Sequence, residues 1–353
     1  GYGSTGNSHS GNTGVGYNAL VAVTTGGSNS TLGFGSGDAL TTGHNNVAVG
    51  IGAIGVSTNV GYAVALGDTA LGAGNATDAA DGTVAIGSSA LRVLTSGAAN
   101  VAIGKDSGKA LTTGAHNTFL GTTTGDDMVE GSYNIAIGSD ALGGAKDGTA
   151  DASQFNIFIG VNSGNGAWVT AVSQYNVGVG SYTLDGAMNG AVNNTAVGHK
   201  GLSAITTGDS NVAVGYQSGL ALTTGHSNVI IGENAGSTAT TQLTNSVLIG
   251  NDAGQTAVSA NHVFIGDHAG YSAVANHGQV FIGYYAGAVI TSGERNTAIG
   301  YQALDSADDC DDSIAIGYQA LAGTDAGTNN KNIAIGNYAL DANMTHNQGN
   351  IAI

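Results

Sequence analysis

The feature that most constrains this chain is one repeated phrase, Asn-x-Ala-Ile-Gly, whose closing glycine returns at a nearly constant interval. Seventeen residues is the dominant spacing, and a few intervals are longer, up to 22 between Gly138 and Gly160. We number positions from this anchor glycine, negative before it and positive after it. The anchors are Gly16, Gly33, Gly50, Gly67, Gly87, Gly104, Gly121, Gly138, Gly160, Gly180, Gly198, Gly215, Gly232, Gly250, Gly266, Gly283, Gly300, Gly317 and Gly336.

A second phrase, Thr-Thr-Gly, places another glycine ten residues after many anchors, as at Gly26 and Gly114. The repeat therefore holds two short extended runs separated by two glycine corners, and glycine supplies the backbone angles that such corners need. The unit is too short for a strand plus a helix, and it shows strand-like alternation without a helical period. These features predict an all-β fold, a parallel β-solenoid of about twenty coils of about 17 residues. With strands about 4.8 Å apart, twenty coils would span about 95 Å.

Composition agrees with this prediction. The 353 residues include 61 glycines and no proline. Because proline removes a ladder donor, it is kept out of paired strands. We expect one continuous solenoid domain over residues 1–353, with longer, loop-bearing coils at about 138–198. The chain begins Gly-Tyr-Gly-Ser and ends where the next anchor is due, so we expect it to be a segment of something longer.

Charge and cysteine content narrow the function classes. The formal net charge is −17, with 7 Lys plus Arg residues, which argues against binding nucleic acid or anionic membranes. One cysteine excludes an internal disulfide and a multi-cysteine metal site. No run of 18 apolar residues is present, so we expect no membrane insertion of this segment.

The run before each anchor is apolar on both faces. Positions −3 and −1 carry Val, Ile, Leu or Thr in most coils, which suggests an inward face, and position −2 would then point outward. A strand that is apolar on both faces is usually buried on both. We therefore expect position −2 to contact other copies of the chain in a homotrimer. The alternative is a flattened coil whose own second sheet covers that face. The aromatic members of the expected interface are Phe119, Phe158, Phe264 and Phe281.

Asparagine recurs at position −4 in thirteen coils. It tolerates left-handed turns, and in register it can stack as an amide ladder. We interpret it as structural; the alternative, a row of ligands, lacks nearby charge. The clearest members are Asn100, Asn117, Asn134, Asn211 and Asn228.

Two groups of aromatic residues are candidate binding sites. Tyr284, Tyr301 and Tyr318 follow three consecutive anchors and could form a ladder that stabilises a corner or stacks on sugar rings. The longer coils contain Trp168 and the paired Ser-Gln-Phe-Asn and Ser-Gln-Tyr-Asn phrases around Phe155 and Tyr175. Extra residues in a solenoid form loops on one face, which is often the binding face.

Candidate catalytic and metal residues are few. Asp308, Asp309, Asp311 and Asp312 flank Cys310 and could bind a hard cation, although a solvated loop is the simpler interpretation. The glycine-rich strings lack a surrounding βαβ unit, and the acids define no carboxylate pair for glycan hydrolysis. We therefore expect no enzyme activity and no cofactor.

The phrases Asn100-Val101-Ala102-Ile103-Gly104 and Asn332-Ile333-Ala334-Ile335-Gly336 resemble the YadA-type head repeats of trimeric autotransporter adhesins. The longer phrase from Asn296 to Leu304 also looks like repeats of phage and large-virus fibre proteins. The resemblance covers essentially the whole chain. It implies a left-handed parallel β-roll, three chains about one axis, and a role in surface attachment.

These observations lead us to expect a non-enzymatic structural segment of an extracellular, cell-surface or virion-surface fibre. The main alternative is an adhesin head that binds a glycan or receptor through the inserted loops or the tyrosine ladder. An end-to-end filament and an ice-binding array of threonines are further alternatives.

Overall fold

The computed structural model describes residues 10–144, 152–168, 171–239, 243–273, 277–305, 310–323, 330–342 and 348–353. The chain divides into two compact units. Unit 1 is Gly1–Tyr182 with Ala187–Gly190, and unit 2 is Thr183–Gly186 with Ala191–Ile353. Within the described residues each unit has ten short β-strands, and the single helical element is a 3₁₀ turn at Asp78–Ala80. The predicted all-β fold, a parallel β-solenoid with coils of about 17 residues, is confirmed.

Every strand covers the residues just before an anchor glycine or, for the last strand, the place where the next anchor is due. Unit 1 contains β1 (Thr13–Val15), β2 (Ser30–Leu32), β3 (Val47–Val49), β4 (Val64–Leu66), β5 (Val84–Ile86), β6 (Val101–Ile103), β7 (Thr118–Leu120), β8 (Ile135–Ile137), β9 (Ile157–Ile159) and β10 (Val177–Val179). Unit 2 contains β11 (Thr195–Val197), β12 (Val212–Val214), β13 (Val229–Ile231), β14 (Val247–Ile249), β15 (Val263–Ile265), β16 (Val280–Ile282), β17 (Thr297–Ile299), β18 (Ile314–Ile316), β19 (Ile333–Ile335) and β20 (Ile351–Ala352).

Within each unit, consecutive strands pair in parallel, and equivalent coil positions lie side by side. Ala102 of β6 is opposite Phe119 of β7, and Phe264 of β15 is opposite Phe281 of β16. Longer coils keep this register, because their extra residues lie between strands: β8 pairs with β9 across the 22-residue coil. The repeat therefore fixes the sheet, and insertions change only the connections.

Glycine is needed at the two repeated glycine positions for different reasons. The anchor Gly104 has φ +140°, a region that residues with a Cβ rarely adopt, and a Cβ there would overlap the carbonyl oxygen of Gly121 in the next coil. Gly114, at position +10, is not among the positive-φ residues, but a Cβ there would overlap the carbonyl oxygen of Gly131. The close approach of neighbouring atoms, rather than the backbone angle, therefore selects glycine at the second corner.

Each coil also has three turn residues whose backbone angles lie in the left-handed region, and most of these residues are not glycine. They are positions +2, +4 and −5, as at Asp140 (φ 55°), Leu142 (φ 54°) and Tyr133 (φ 59°). Neighbouring coils hold these turns by backbone hydrogen bonds, since Tyr133 N donates to Ala115 O at 3.0 Å and Asp140 N donates to Thr122 O at 3.1 Å. The strain at each turn is thus offset by pairing with the adjacent coil.

The inward and outward faces of the strands are opposite to those expected from the sequence. The residue at position −2 points into the coil, and Phe119, Phe158, Phe264 and Phe281 all have no exposed surface. The flanking residues point outward, and Val47 and Val49 are 40% and 37% exposed. The prediction that these four phenylalanines form an interface with other chains is therefore wrong, because their rings fill the interior of their own chain.

The interior balances a large residue at position −2 with glycine at position +4. Phe119 is followed by Gly125, and a Cβ on Gly125 would lie 2.8 Å from its ring. Ala136 at position −2 is instead followed by Leu142, whose side chain is fully buried. In these coils the two positions compensate for each other in volume, as close packing requires.

Candidate functional site

The asparagines at position −4 form hydrogen-bonded rows inside each unit. In unit 1, Asn117 N and Nδ2 both donate to Asn100 Oδ1, at 2.9 and 3.1 Å. Asn117 Nδ2 also donates to Gly131 O at 2.8 Å, and Asn134 repeats the pattern on Asn117. In unit 2, Asn211 and Asn228 make the same contacts. These buried side chains hold one coil to the next, so they are unavailable to a ligand.

The amide row also contains residues that the asparagine pattern missed. Asn350 N and Nδ2 donate to Asn332 Oδ1 at 2.9 and 3.1 Å, and Asn350 occupies the same coil position. Gln279 substitutes for asparagine, and its Oε1 accepts from Asn296 N at 2.9 Å. His262 takes the place in the coil of β15, where its Nε2 lies 2.8 Å from Ser259 Oγ. Counting from the anchor would have found all three.

A row of exposed tyrosines runs along unit 2. The rings of Tyr284 and Tyr301 stack with centroids 5.0 Å apart, and those of Tyr301 and Tyr318 stack at 5.2 Å. The three side chains are 43%, 44% and 39% exposed, respectively. Tyr338 packs edge-on against Tyr318, and Tyr285 lies 4.5 Å from Tyr284. We call these five residues the tyrosine cluster.

Unit 1 has a comparable row at position −5. The rings of His116, Tyr133, Phe155 and Tyr175 stack in order, with centroid distances of 4.9, 5.1 and 5.2 Å. The paired phrases in the longer coils had pointed to Phe155 and Tyr175. His116 and Tyr133 were missed as partners, although they precede ladder asparagines in the same way. In both rows the ring faces cover each other, which leaves mainly the ring edges and hydroxyl groups to solvent.

Trp168 does not belong to this surface. Its side chain has no exposed area and packs edge-on against the buried Phe158, with ring centroids 5.6 Å apart. The prediction that Trp168 contacts a receptor is therefore wrong, because the indole fills the core of a longer coil.

The acidic cluster is only partly described. Asp308 and Asp309 lie outside the described residues. Asp311 Oδ1 accepts from Glu294 N at 2.8 Å, and Asp312 accepts from Arg295 Nε and Nη2 at 2.7 and 3.2 Å. The hydrogen bond from Arg295 lowers the pKa of Asp312. Two of the four carboxylates thus already have protein donors. Elsewhere in the described ranges, no group of three or more His, Cys, Asp or Glu side chains is placed to hold a metal ion.

The outward strand face forms a uniform surface in each unit. At position −1 every coil presents Val, Leu or Ile, and at position −3 every described strand carries Val, Ile, Thr or Ser. Neither position holds a charged residue in any of the described strands. We call this surface the outer strand face; its more exposed members include Val15, Leu32, Leu120, Ile159 and Val214.

No protein-family model matches this chain, and a comparison with curated proteins finds no significant relative. Where the structure describes the chain, it contains no helix that is both long and apolar enough to cross a membrane.

Proposed function

We propose that this chain is a non-enzymatic structural segment of an extracellular or virion-surface fibre, and that it self-associates as a homotrimer through the outer strand face. The observation that carries the proposal is the unbroken row of Val, Leu or Ile at position −1 in both units, beside an uncharged position −3. Soluble monomers rarely leave a continuous apolar patch uncovered, because water contact with such a surface is unfavourable.

A second copy of the same chain is the occupant that best fits this face. The face repeats once per coil, so another copy presents apolar side chains at the same interval. It also lacks charged residues, so the net charge of −17 must be carried elsewhere on the surface. Copies can therefore meet at this face without placing carboxylates opposite one another. The resemblance to trimeric adhesin heads supports three chains about a common axis.

The internal construction suits a shaft. Each coil makes its backbone and amide hydrogen bonds to the coils next to it, so stability grows with nearest-neighbour contacts and length can be extended by repetition. The function proposed here is accordingly reach, stiffness and attachment. A cell-surface or virion-surface location follows from that role.

Electron microscopy combined with one matched pair of variants tests the proposal. Val214→Lys places a charge on the outer strand face and should convert the assembly to single chains. Ser227→Lys adds the same charge nearby at position −5, where the chain naturally carries Lys331 with a similar backbone angle, and should leave the assembly intact. Trimeric rods that persist in Val214→Lys would contradict the proposal.

A second candidate function is attachment to a glycan or receptor through the aromatic rows. The observation that favours it is the alignment of exposed rings in consecutive coils, around Tyr133 in unit 1 and Tyr301 in unit 2. A glycan array would test this candidate. Binding that is lost in Tyr301→Ala would support it, and an array without any bound sugar would refute it.

A further inference from the structure

The tyrosine cluster of unit 2 differs from the other aromatic contacts in its chemistry. Tyr284, Tyr301 and Tyr318 are phenols stacked directly on one another, and each belongs to a different coil. Several other exposed tyrosines stack on residues of a different type. In unit 1, Phe155 separates Tyr133 from Tyr175, and Tyr216 stacks on His199 at 5.6 Å. Tyr284, Tyr301 and Tyr318 thus form a run of three phenols in consecutive coils.

We propose that the tyrosine cluster is a site of oxidative cross-linking, in which a haem peroxidase using hydrogen peroxide joins tyrosines of successive coils as dityrosine. The proposal goes beyond a fibre function and does not require it. It rests on two properties of Tyr284, Tyr301 and Tyr318: ring centroids 5.0 and 5.2 Å apart, and exposures near 40% that leave the phenols open to an oxidant.

The reaction balances without any other reagent. The oxidant removes one electron and one proton from each of two phenol groups, which gives two phenoxyl radicals with spin density on the ortho ring carbons. A carbon–carbon bond forms between two ortho carbons, and the hydrogens on those carbons move to the phenoxyl oxygens. Two hydrogen atoms are lost in total, and they reduce one hydrogen peroxide molecule to two water molecules.

The geometry favours coupling within the stack over other outcomes. The neighbouring rings are nearly parallel, inclined by 19° and 11°, and their centroids lie 5.0 and 5.2 Å apart before oxidation. Holding two reactants together in this way raises their effective concentration far above that of a chance encounter. The product would join, by a covalent bond, coils that are otherwise held together by non-covalent contacts. The chain has a single cysteine, so an internal disulfide cannot serve this purpose.

Peptide mapping after peroxidase treatment locates the links. Cleavage at Glu294 separates Tyr284 from Tyr301, and cleavage at Asp305 separates Tyr301 from Tyr318. A link therefore appears as two joined peptides whose summed mass is reduced by two hydrogen atoms. We expect joined peptides for both pairs, together with dityrosine fluorescence.

Three variants make the test specific. Tyr301→Phe should lose both links, and it should fold normally because Phe34 occupies the same coil position in unit 1, where it stacks on Tyr17. Tyr216→Phe removes an exposed tyrosine outside the cluster and should leave both links unchanged. Phe155→Tyr creates a stack of three phenols in unit 1 and should gain new links to Tyr133 and Tyr175.

The outcomes separate clearly. Joined peptides that include position 301 in the unmodified chain, their loss in Tyr301→Phe and the gain in Phe155→Tyr support the proposal. Oxidation of Tyr216 without any joined peptide from the cluster would overturn it. Equal dityrosine yields in the unmodified chain and in Tyr301→Phe would also overturn it.

Discussion

The ring of Phe119 occupies the space where a side chain at Gly125 would lie, since a Cβ on Gly125 would come within 2.8 Å of the ring. Gly164 has the same relationship to Phe158, and Gly270 overlaps Phe264 in the same way. Where position −2 is alanine, leucine or isoleucine often fills position +4, as Leu142 does after Ala136. The two positions share one core volume.

This shared volume predicts a compensating pair of substitutions. Phe119→Ala should destabilise the chain by about 3–5 kcal/mol, the usual effect of deleting a buried ring. Gly125→Leu should overpack the core and cost about 1–3 kcal/mol. The double variant should be more stable than either single variant, because it recreates the Ala136 and Leu142 arrangement. Thermal unfolding followed by circular dichroism would give the order of the three.

The backbone at Gly125 does not prevent the exchange. Its φ of +60° is close to the 54° at Leu142, so leucine already adopts this conformation in the same coil position. A double variant less stable than both single variants would show that positions −2 and +4 pack independently.

The amide ladder predicts that a nearly isosteric change is worse than a truncation. Asn117→Asp replaces an amide that donates to Asn100 Oδ1 and Gly131 O with a buried carboxylate facing two acceptors. It should cost about 3 kcal/mol or more at neutral pH. Asn117→Ala should cost about 1–3 kcal/mol, since alanine occurs at this place at Ala63. Chemical denaturation at pH 7 would compare them.

Acidification provides the control for the carboxylate effect. Protonation of the introduced carboxyl restores one donor, so the Asn117→Asp chain should recover stability relative to Asn117→Ala as the pH falls. An aspartate variant as stable as the unmodified chain would contradict the hydrogen-bonding role assigned to the ladder.

His262 predicts a pH dependence of stability. Burial, and then the nearby His277, lower the pKa of His262 from 6.5 to about 4, so the folded chain keeps the imidazole neutral. The unfolded chain binds a proton at higher pH than the folded chain does. Stability from this group is therefore present above about pH 6.5, and roughly 3 kcal/mol is lost as the pH falls to about 4.

His262→Asn isolates this contribution, because asparagine is the common residue at position −4. The variant should lose less stability than the unmodified chain between pH 6.5 and 4. Burial also raises the pKa of Asp185 to about 6, which opposes the trend because its folded form binds a proton more readily. Asp185 is present in both proteins, so their difference reports on His262. Parallel pH profiles would rule out the role given to the imidazole.

The period and the strands could be predicted from the sequence because glycine marks each coil. An anchor such as Gly104 is irreplaceable on two counts, its backbone angle and its contact with Gly121, so it recurs without exception. Asparagine at position −4 was recognisable for a similar reason, since its amide bonds the same groups in most coils.

The alternation of residues along a strand could not predict which face of the strand points into the coil. Both faces are apolar, and alternation separates two faces without saying which is inside. Curvature decides this, and it is set by left-handed turns at residues such as Asp140, Leu142 and Tyr133, whose side chains give little conformational signal. One clue was available in the sequence. Position +4 is glycine where position −2 is large, and it is often leucine or isoleucine where position −2 is alanine. Trp168 was predicted to be exposed because the extra residues of a longer coil were expected to form a surface loop. At least one of those residues, Trp168 itself, is instead part of the core.

Self-association through the outer strand face is the central claim, and sedimentation equilibrium of the purified chain tests it most directly. Strand faces lined by Val47, Val49, Val212 and Val214 should be covered by other copies of the chain. The measured mass should equal three chains and should fall to one chain in Val214→Lys. A single-chain mass for the unmodified protein at every concentration would contradict the claim.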